Sequence, residues 1–209
     1  MGSVTPVQSP PGDGTGRARR HDPDRRERII EACLDVIATE GVGGTSHRKV
    51  AAVADVPLGS MTYHFSGMNE LLREALNRFG REVSDRFERR IAAATGPQEA
   101  AQAVLAIIAE DTPADARELV LTQELYTLAA RDPSYRDITS AWMARSRAAL
   151  ERHFDPVTAR LLGALIEGLS LHRALASEPS DTSVVAEAIE RITGHDPGAA
   201  LESPAERVR

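Results

Sequence analysis

Apolar residues recur along most of the chain at the three- to four-residue spacing of amphipathic helices, and no convincing alternating strand pattern interrupts them. In "DPDRRERIIEACLDVIATEG" the residues Ile30, Cys33, Leu34 and Ile37 make one stripe. Asp22 or Asp24 can cap this helix, Pro23 suits its first turn and Gly41 stops it. "GVGGT" then reads as a turn. Ser46 offers an N-cap for a short helix through Ala54, anchored by Val50, Ala51 and Ala54, and Asp55 can take the left-handed conformation of a tight turn. A third short helix lies in "VADVPLGSMTYHF", opened by Pro57 and anchored by Val56, Leu58, Met61 and Phe65. Its composition is unlike a core helix. Gly59 should cost about 1 kcal/mol relative to Ala, and Tyr63 and His64 are large polar-tipped groups with no evident core to enter.

After "SGMN" a long helix is predicted over 69–94, with Leu72, Leu76, Phe79, Val83, Phe87 and Ile91 on one face. At 1.5 Å per residue it reaches roughly 39 Å, farther than the first three helices need. Pro97 and Pro113 mark helix starts, Pro133 and Pro156 mark breaks, and the remaining segments fall at 97–111, 114–131, 134–153, 156–176 and 182–193. The expected fold class is all-α. The expected organisation is a disordered arm at 1–22, a helix-turn-helix unit at 23–68, a helical regulatory and dimerisation domain at 69–194 and a loose tail at 195–209.

Two short helices joined by a tight turn, apolar behind and polar in front, describe a helix-turn-helix, whose second helix enters the major groove with its N-terminal residues foremost. Gly59 then lets the backbone approach a duplex, and Ser60, Thr62, Tyr63 and His64 can donate to phosphates or base edges. Ser46, His47 and Arg48 begin the preceding helix, where backbone N–H groups favour phosphate. Arg48 is the best base reader, because its fork matches guanine O6 and N7. The candidate DNA contacts are Thr45, Ser46, His47 and Arg48, followed by Pro57, Leu58, Gly59, Ser60, Thr62, Tyr63 and His64.

The stretch "ERIIEACLDVIATEGVGGTSHRKVAAVADVPLGSMTYHF", followed by "NELL", resembles the TetR family of bacterial transcriptional regulators from Arg25 to about Leu72. Three positions depart from the family pattern: Asp55 where Gly is usual, Thr62 where Tyr is usual, and Met68 where Lys is usual. The resemblance implies an all-α homodimer on palindromic double-stranded DNA near promoters, usually repressing, and released by a small-molecule effector. It implies a dimer interface through the last long helices. "ARLLGALIEGLSLHRALA" is apolar on more than one face, which points to Leu161, Gly163, Ala164, Leu165, Gly168 and Leu169. It also implies an effector pocket for a small, mostly apolar molecule among the middle helices, for which Phe87, Ile108, Gln123, Tyr126, Trp142, Met143 and His172 are the candidates.

Charge adds little to this picture. The 209 residues carry a formal −6, so the molecule is no polycation. From Arg17 to Ser66, however, eight basic residues face seven acidic ones, while the rest is acidic. Arg17, Arg19 and Arg20 read as part of a disordered, solvated tail, the alternative being an arm that reaches the minor groove. Cys33 is the only cysteine, which forbids an intrachain disulfide and fits a reducing, cytoplasmic setting. No apolar run approaches the roughly 20 residues of a membrane span, so no membrane partner is expected. Catalytic signatures are missing. There is no H-E-x-x-H and no G-x-S-x-G, Ser170 and His172 do not face one another on a helix, and the six histidines make no i,i+4 metal pair. No cofactor, metal or catalytic residue is therefore expected. The competing readings are a constitutive or partner-controlled DNA-binding regulator without effector, and an all-helical enzyme with an incidental helix-turn-helix.

Overall fold

A computed structural model describes residues 24–111, 116–177 and 181–198. The 1–22 arm with its three arginines, Pro113 and the tail beyond Gly198 lie outside them. Nine α-helices occupy the described residues: α1 (Arg25–Gly44), α2 (His47–Val53), α3 (Leu58–His64), α4 (Met68–Ala92), α5 (Pro97–Ala106), α6 (Ala116–Arg131), α7 (Arg136–Leu150), α8 (Pro156–Leu175) and α9 (Thr182–Thr193). None of the described helices is long and apolar enough to cross a membrane.

Local chemistry sets the ends. The Ser46 hydroxyl accepts from the Lys49 N–H at 3.4 Å and opens α2. Asp155 accepts from the Val157 and Thr158 N–H groups at 2.9 and 3.2 Å, so Pro156 starts α8 rather than merely ending what precedes it. Gly194 closes α9 in the left-handed region. Asp55 sits at φ 51°, the turn conformation expected of it. Gly41 has φ 71° and ψ 170°, which breaks α1 and leaves one further turn before Thr45. Two segments differ from the sequence reading. The 97–111 segment ends in a π-helical turn, Ile107–Asp111, whose Ile108 carbonyl accepts from Arg173 of α8 at 2.7 Å. The 134–153 segment begins as a 3-10 turn, Pro133–Tyr135, and its α-helix stops at Leu150.

The apolar stripes meet in two cores. The first gathers Ile29, Cys33 and Ile37 of α1, Val50 of α2, Met61 of α3, Phe65, Leu72 and Leu76 of α4, and then Leu121 and Leu125 of α6. The second gathers Ile91, Val104, Ile108, Leu150, Leu162, Val185 and Ile189, with Phe87 packed against it. The first core therefore does not end at residue 68, because α6 and the start of α7 close it. Two helices run from one core to the other: α4, at 25 residues about 37 Å long, and α7, which places Ile138 in the first core and Ala149 and Leu150 in the second.

Arginines brace the helices around α4. Arg78 of α4 bridges Glu27 and Glu31 of α1 at 3.3 and 3.1 Å. Arg117 of α6 meets the same Glu31 at 2.7 Å and Asp35 at 2.9 Å. Arg145 of α7 clamps Glu88 and Asp85 of α4 at 2.8 and 2.6 Å. Each pair is partly exposed and individually weak, but together they hold α4 in register with α1 and α7, and α1 with α6.

Candidate nucleic-acid interface

The reading unit is set by which residues the first core takes. Met61 of α3 and Phe65, the C-cap that follows it, are buried and hold the helix down. One helical arc is left facing outward: Leu58, Gly59, Thr62 and Tyr63, with Tyr63 84 % exposed. Ser60 and His64 flank this arc and are half-buried. Leu58 is a correction to its reading as an anchor. It lies in helical register with Met61 and Phe65, which the first core buries, yet it is itself 55 % exposed and stands outside that core. Pro57 is the N-cap of α3 rather than its first helical residue, and its carbonyl accepts from the Ser60 N–H at 2.8 Å.

On α2, Val50 and Ala51 face the core, while Arg48 is exposed and engages no other described residue. The neighbouring Lys49 is tied to Glu40 and, at 2.9 Å, to the Gly44 carbonyl, so it braces the turn. Thr45, Ser46 and His47 are half-buried. The Thr45 hydroxyl donates to the Gly41 carbonyl at 2.8 Å, and His47 Nε2 is buried with no partner among the described residues.

A basic seam that sequence reasoning missed borders this surface. The His64 ring meets Tyr63 edge-on with centroids 4.9 Å apart. Burial, followed by the charges of Arg25 and Arg26, holds its pKa below the ordinary histidine value. Arg26 stacks on the Phe65 ring at 5.1 Å and bridges Glu74. The cluster of arginines at the start of α1 was the available signal, but nothing in the spacing shows that α1 begins beside the end of α3. At the N-terminus of α4, Glu70 accepts from the Ser66 N–H and hydroxyl at 2.6 and 2.5 Å, and these bonds hold its carboxyl below the usual range. A negative charge therefore already occupies that helix end, which disfavours a phosphate there.

The α8 candidates for dimerisation divide by face. Leu165 and Leu169 pack against the second core of their own chain. Leu161 and Ala164 face outward, and Gly163 and Gly168 are half-buried with nothing within 4 Å of where a Cβ would stand. Val157, Leu175 and, on α9, Val184 extend the exposed apolar surface.

The effector candidates do not converge on one site. Met143, expected to point inward, is 44 % exposed, and Gln123 and His172 also face solvent. Phe87 and Ile108 belong with the second core, whereas Tyr126 and Trp142 stack near the first with centroids 6.1 Å apart. Phe79 meets Trp142 edge-on at 6.0 Å. A cleft of about 30 Å³ lies beside Trp142, between α4 and α7, lined by Gly80, Ser84, Ile138 and Arg145 among others. That is room for little more than one water.

Comparison with known proteins fits this geometry. The model of bacterial regulatory proteins, tetR family, matches residues 29–75, and that of the tetracyclin repressor-like C-terminal domain matches 95–195. The chain is 30 % identical over 167 residues to the HTH-type transcriptional regulator BetI of Burkholderia cenocepacia, covering 76 % of this chain and 86 % of that one. A protein assigned as a transcriptional regulator from Streptomyces coelicolor A3(2) is 57 % identical, with a TM-score of 0.77 over 82 % of this chain and 99 % of its own. The multidrug binding protein EbrR, solved with ethidium, is 37 % identical, with a TM-score of 0.68 over 82 % and 99 %, and has also been solved with proflavin and malachite green.

Proposed function

The chain belongs to the TetR family of bacterial regulatory proteins, and from that premise we propose that it is a homodimeric repressor that reads a palindromic operator with α2 and α3 and leaves it when a small aromatic effector binds. The matched relatives are transcriptional regulators rather than enzymes, which removes the enzyme reading. The observation that carries the DNA contact is the outward arc of α3, Leu58, Gly59, Thr62 and Tyr63, beside the exposed Arg48, which engages no other described residue. Buried Met61 and Phe65 hold that arc rigidly, so its presentation costs little ordering on binding.

The effector is supported by two things. EbrR, a relative of similar fold, has been solved with aromatic cations. Here Phe79, Tyr126 and Trp142 form an aromatic group where α4, α6 and α7 meet. A ligand competing for that stack would shift α6 or α7 against α4, and α6 closes the same core as the reading helices. Only a ligand with different affinities for the two arrangements can move the equilibrium.

Selection of bound duplexes from random sequence tests the DNA reading and should enrich a two-fold symmetric site. Proflavin or malachite green, added to the protein without DNA, should quench Trp142 and raise the melting temperature. Should dyes and other aromatic cations leave both unchanged while the selected site is bound tightly, the effector-free regulator replaces this reading.

A further inference from the structure

Eight large apolar side chains are exposed among the described residues. Four of them, Val157, Leu161, Leu175 and Val184, lie on α8 and α9, and three, Val53, Leu58 and Tyr63, fall within eleven residues of the reading unit. A single exposed leucine means little. Leu58 differs in its place: it is the first residue of α3, the end of a reading helix that goes deepest into a major groove.

We propose that Leu58 reads the C5 methyl of a thymine in each operator half-site, an inference that rests on the DNA-binding reading above. Leucine has no donor or acceptor, so it cannot read the hydrogen-bonding edge of a base, and burying it against a phosphate would strip water from a charge for no return. The thymine methyl is the apolar group that the four ordinary bases present in the major groove. The surroundings of Leu58 suit that contact. A Cβ on Gly59 would meet nothing within 4 Å, so the glycine is not required by packing inside the protein and instead leaves space in front of the helix. The Thr62 hydroxyl is taken by the Gly59 carbonyl at 3.2 Å, which makes the middle of the arc less polar than its sequence suggests. Pro57 at φ −59° has no N–H and fixes the first turn, so Leu58 leaves the backbone from a rigid point.

The experiment uses the full chain and the duplex selected from random sequence, with each thymine of a half-site replaced in turn by deoxyuridine, which lacks only the methyl. One position should weaken wild-type binding roughly fourfold per half-site, the value of one buried methyl-sized group. Leu58→Ala should bind the thymine and uracil duplexes equally, with an unchanged melting temperature because the side chain is exposed. Leu58→Gln, put through a fresh selection, should exchange thymine for adenine at the same position. Methyl sensitivity that survives in both variants, or a selected site with no sensitive thymine, overturns the inference while leaving the DNA-binding reading intact. If no sequence is enriched at all, the DNA-binding reading fails and this inference fails with it.

Discussion

Arg48 leaves α2 exposed and tied to no described residue, in contrast to Lys49 beside it, which is spent on Glu40 and Gly44. Arg48→Ala should therefore cost specific DNA binding about 1–3 kcal/mol and relax selection at one position per half-site. Titrations of the selected and a scrambled duplex at several salt concentrations check this, and equal losses on both would make Arg48 a phosphate contact. His64 carries a pH consequence. Its folded pKa lies below the ordinary value of about 6.5, through burial first and the charges of Arg25 and Arg26 second. The unfolded chain thus takes up a proton before the folded one does. Its contribution is fully present above about pH 6.5 and shrinks as pH falls from there toward the folded pKa. Thermal melts of wild type and His64→Gln across pH 5–8 should diverge on the acid side, with the variant less sensitive. Cys33 should stay unreactive toward thiol reagents in the folded protein, since burial pushes its pKa up to about 12.

Among the elements, Gly41 is the position where backbone geometry is most restrictive. Its φ of 71° with ψ 170° belongs to a region essentially reserved for glycine. A Cβ there would also stand 2.7 Å from the Glu124 carboxylate of α6. Gly41→Ala should lower stability by about 1–3 kcal/mol, and Glu124→Ala added to it should relieve only the clash, not the backbone strain. Chemical denaturation of the single and double variants measures both parts. Features of this kind were legible in the sequence because they are local: Gly41 as a stop, Ser46 as a cap, Asp55 in the left-handed turn, Pro97 at a helix start. The π-helical turn at 107–111 and the early end of α7 were not legible. The first is tied to Arg173 on a helix 65 residues away, and the second is a turn in which the Leu150 carbonyl accepts from the His153 and Phe154 N–H groups at 3.0 and 3.1 Å. Helical spacing likewise placed Leu58 in register with its buried neighbours, but it cannot tell where the core stops.

On the scale of the whole molecule, the open apolar face of α8 and α9 needs cover, and a second copy of the chain supplies it in the proposed dimer. Gly168→Glu should sediment as a monomer and lose tight binding to the selected site, because two reading helices must sit roughly 34–36 Å apart. A wild-type chain that is monomeric at micromolar concentration would remove this arrangement. The outward face of α2 and α3 proposed to meet DNA was more legible than the residue set proposed for the effector. Its residues come from one contiguous stretch whose pattern is short-range, whereas Gln123, Met143 and His172 sit on three separate helices whose rotations depend on long-range packing.

The first core joins the reading helices to α6 without a seam at residue 68. A fragment ending there would leave Ile29, Cys33 and Ile37 facing water where Leu121 and Leu125 now help enclose them, and it should not hold its shape alone. The intact chain should accordingly show amide protons of α1 and α6 exchanging with deuterium at matched rates, as one cooperative unit. Anything that tightens α6 would then slow exchange in the reading head without touching it, so an effector search could be run by mass spectrometry before a single operator is known.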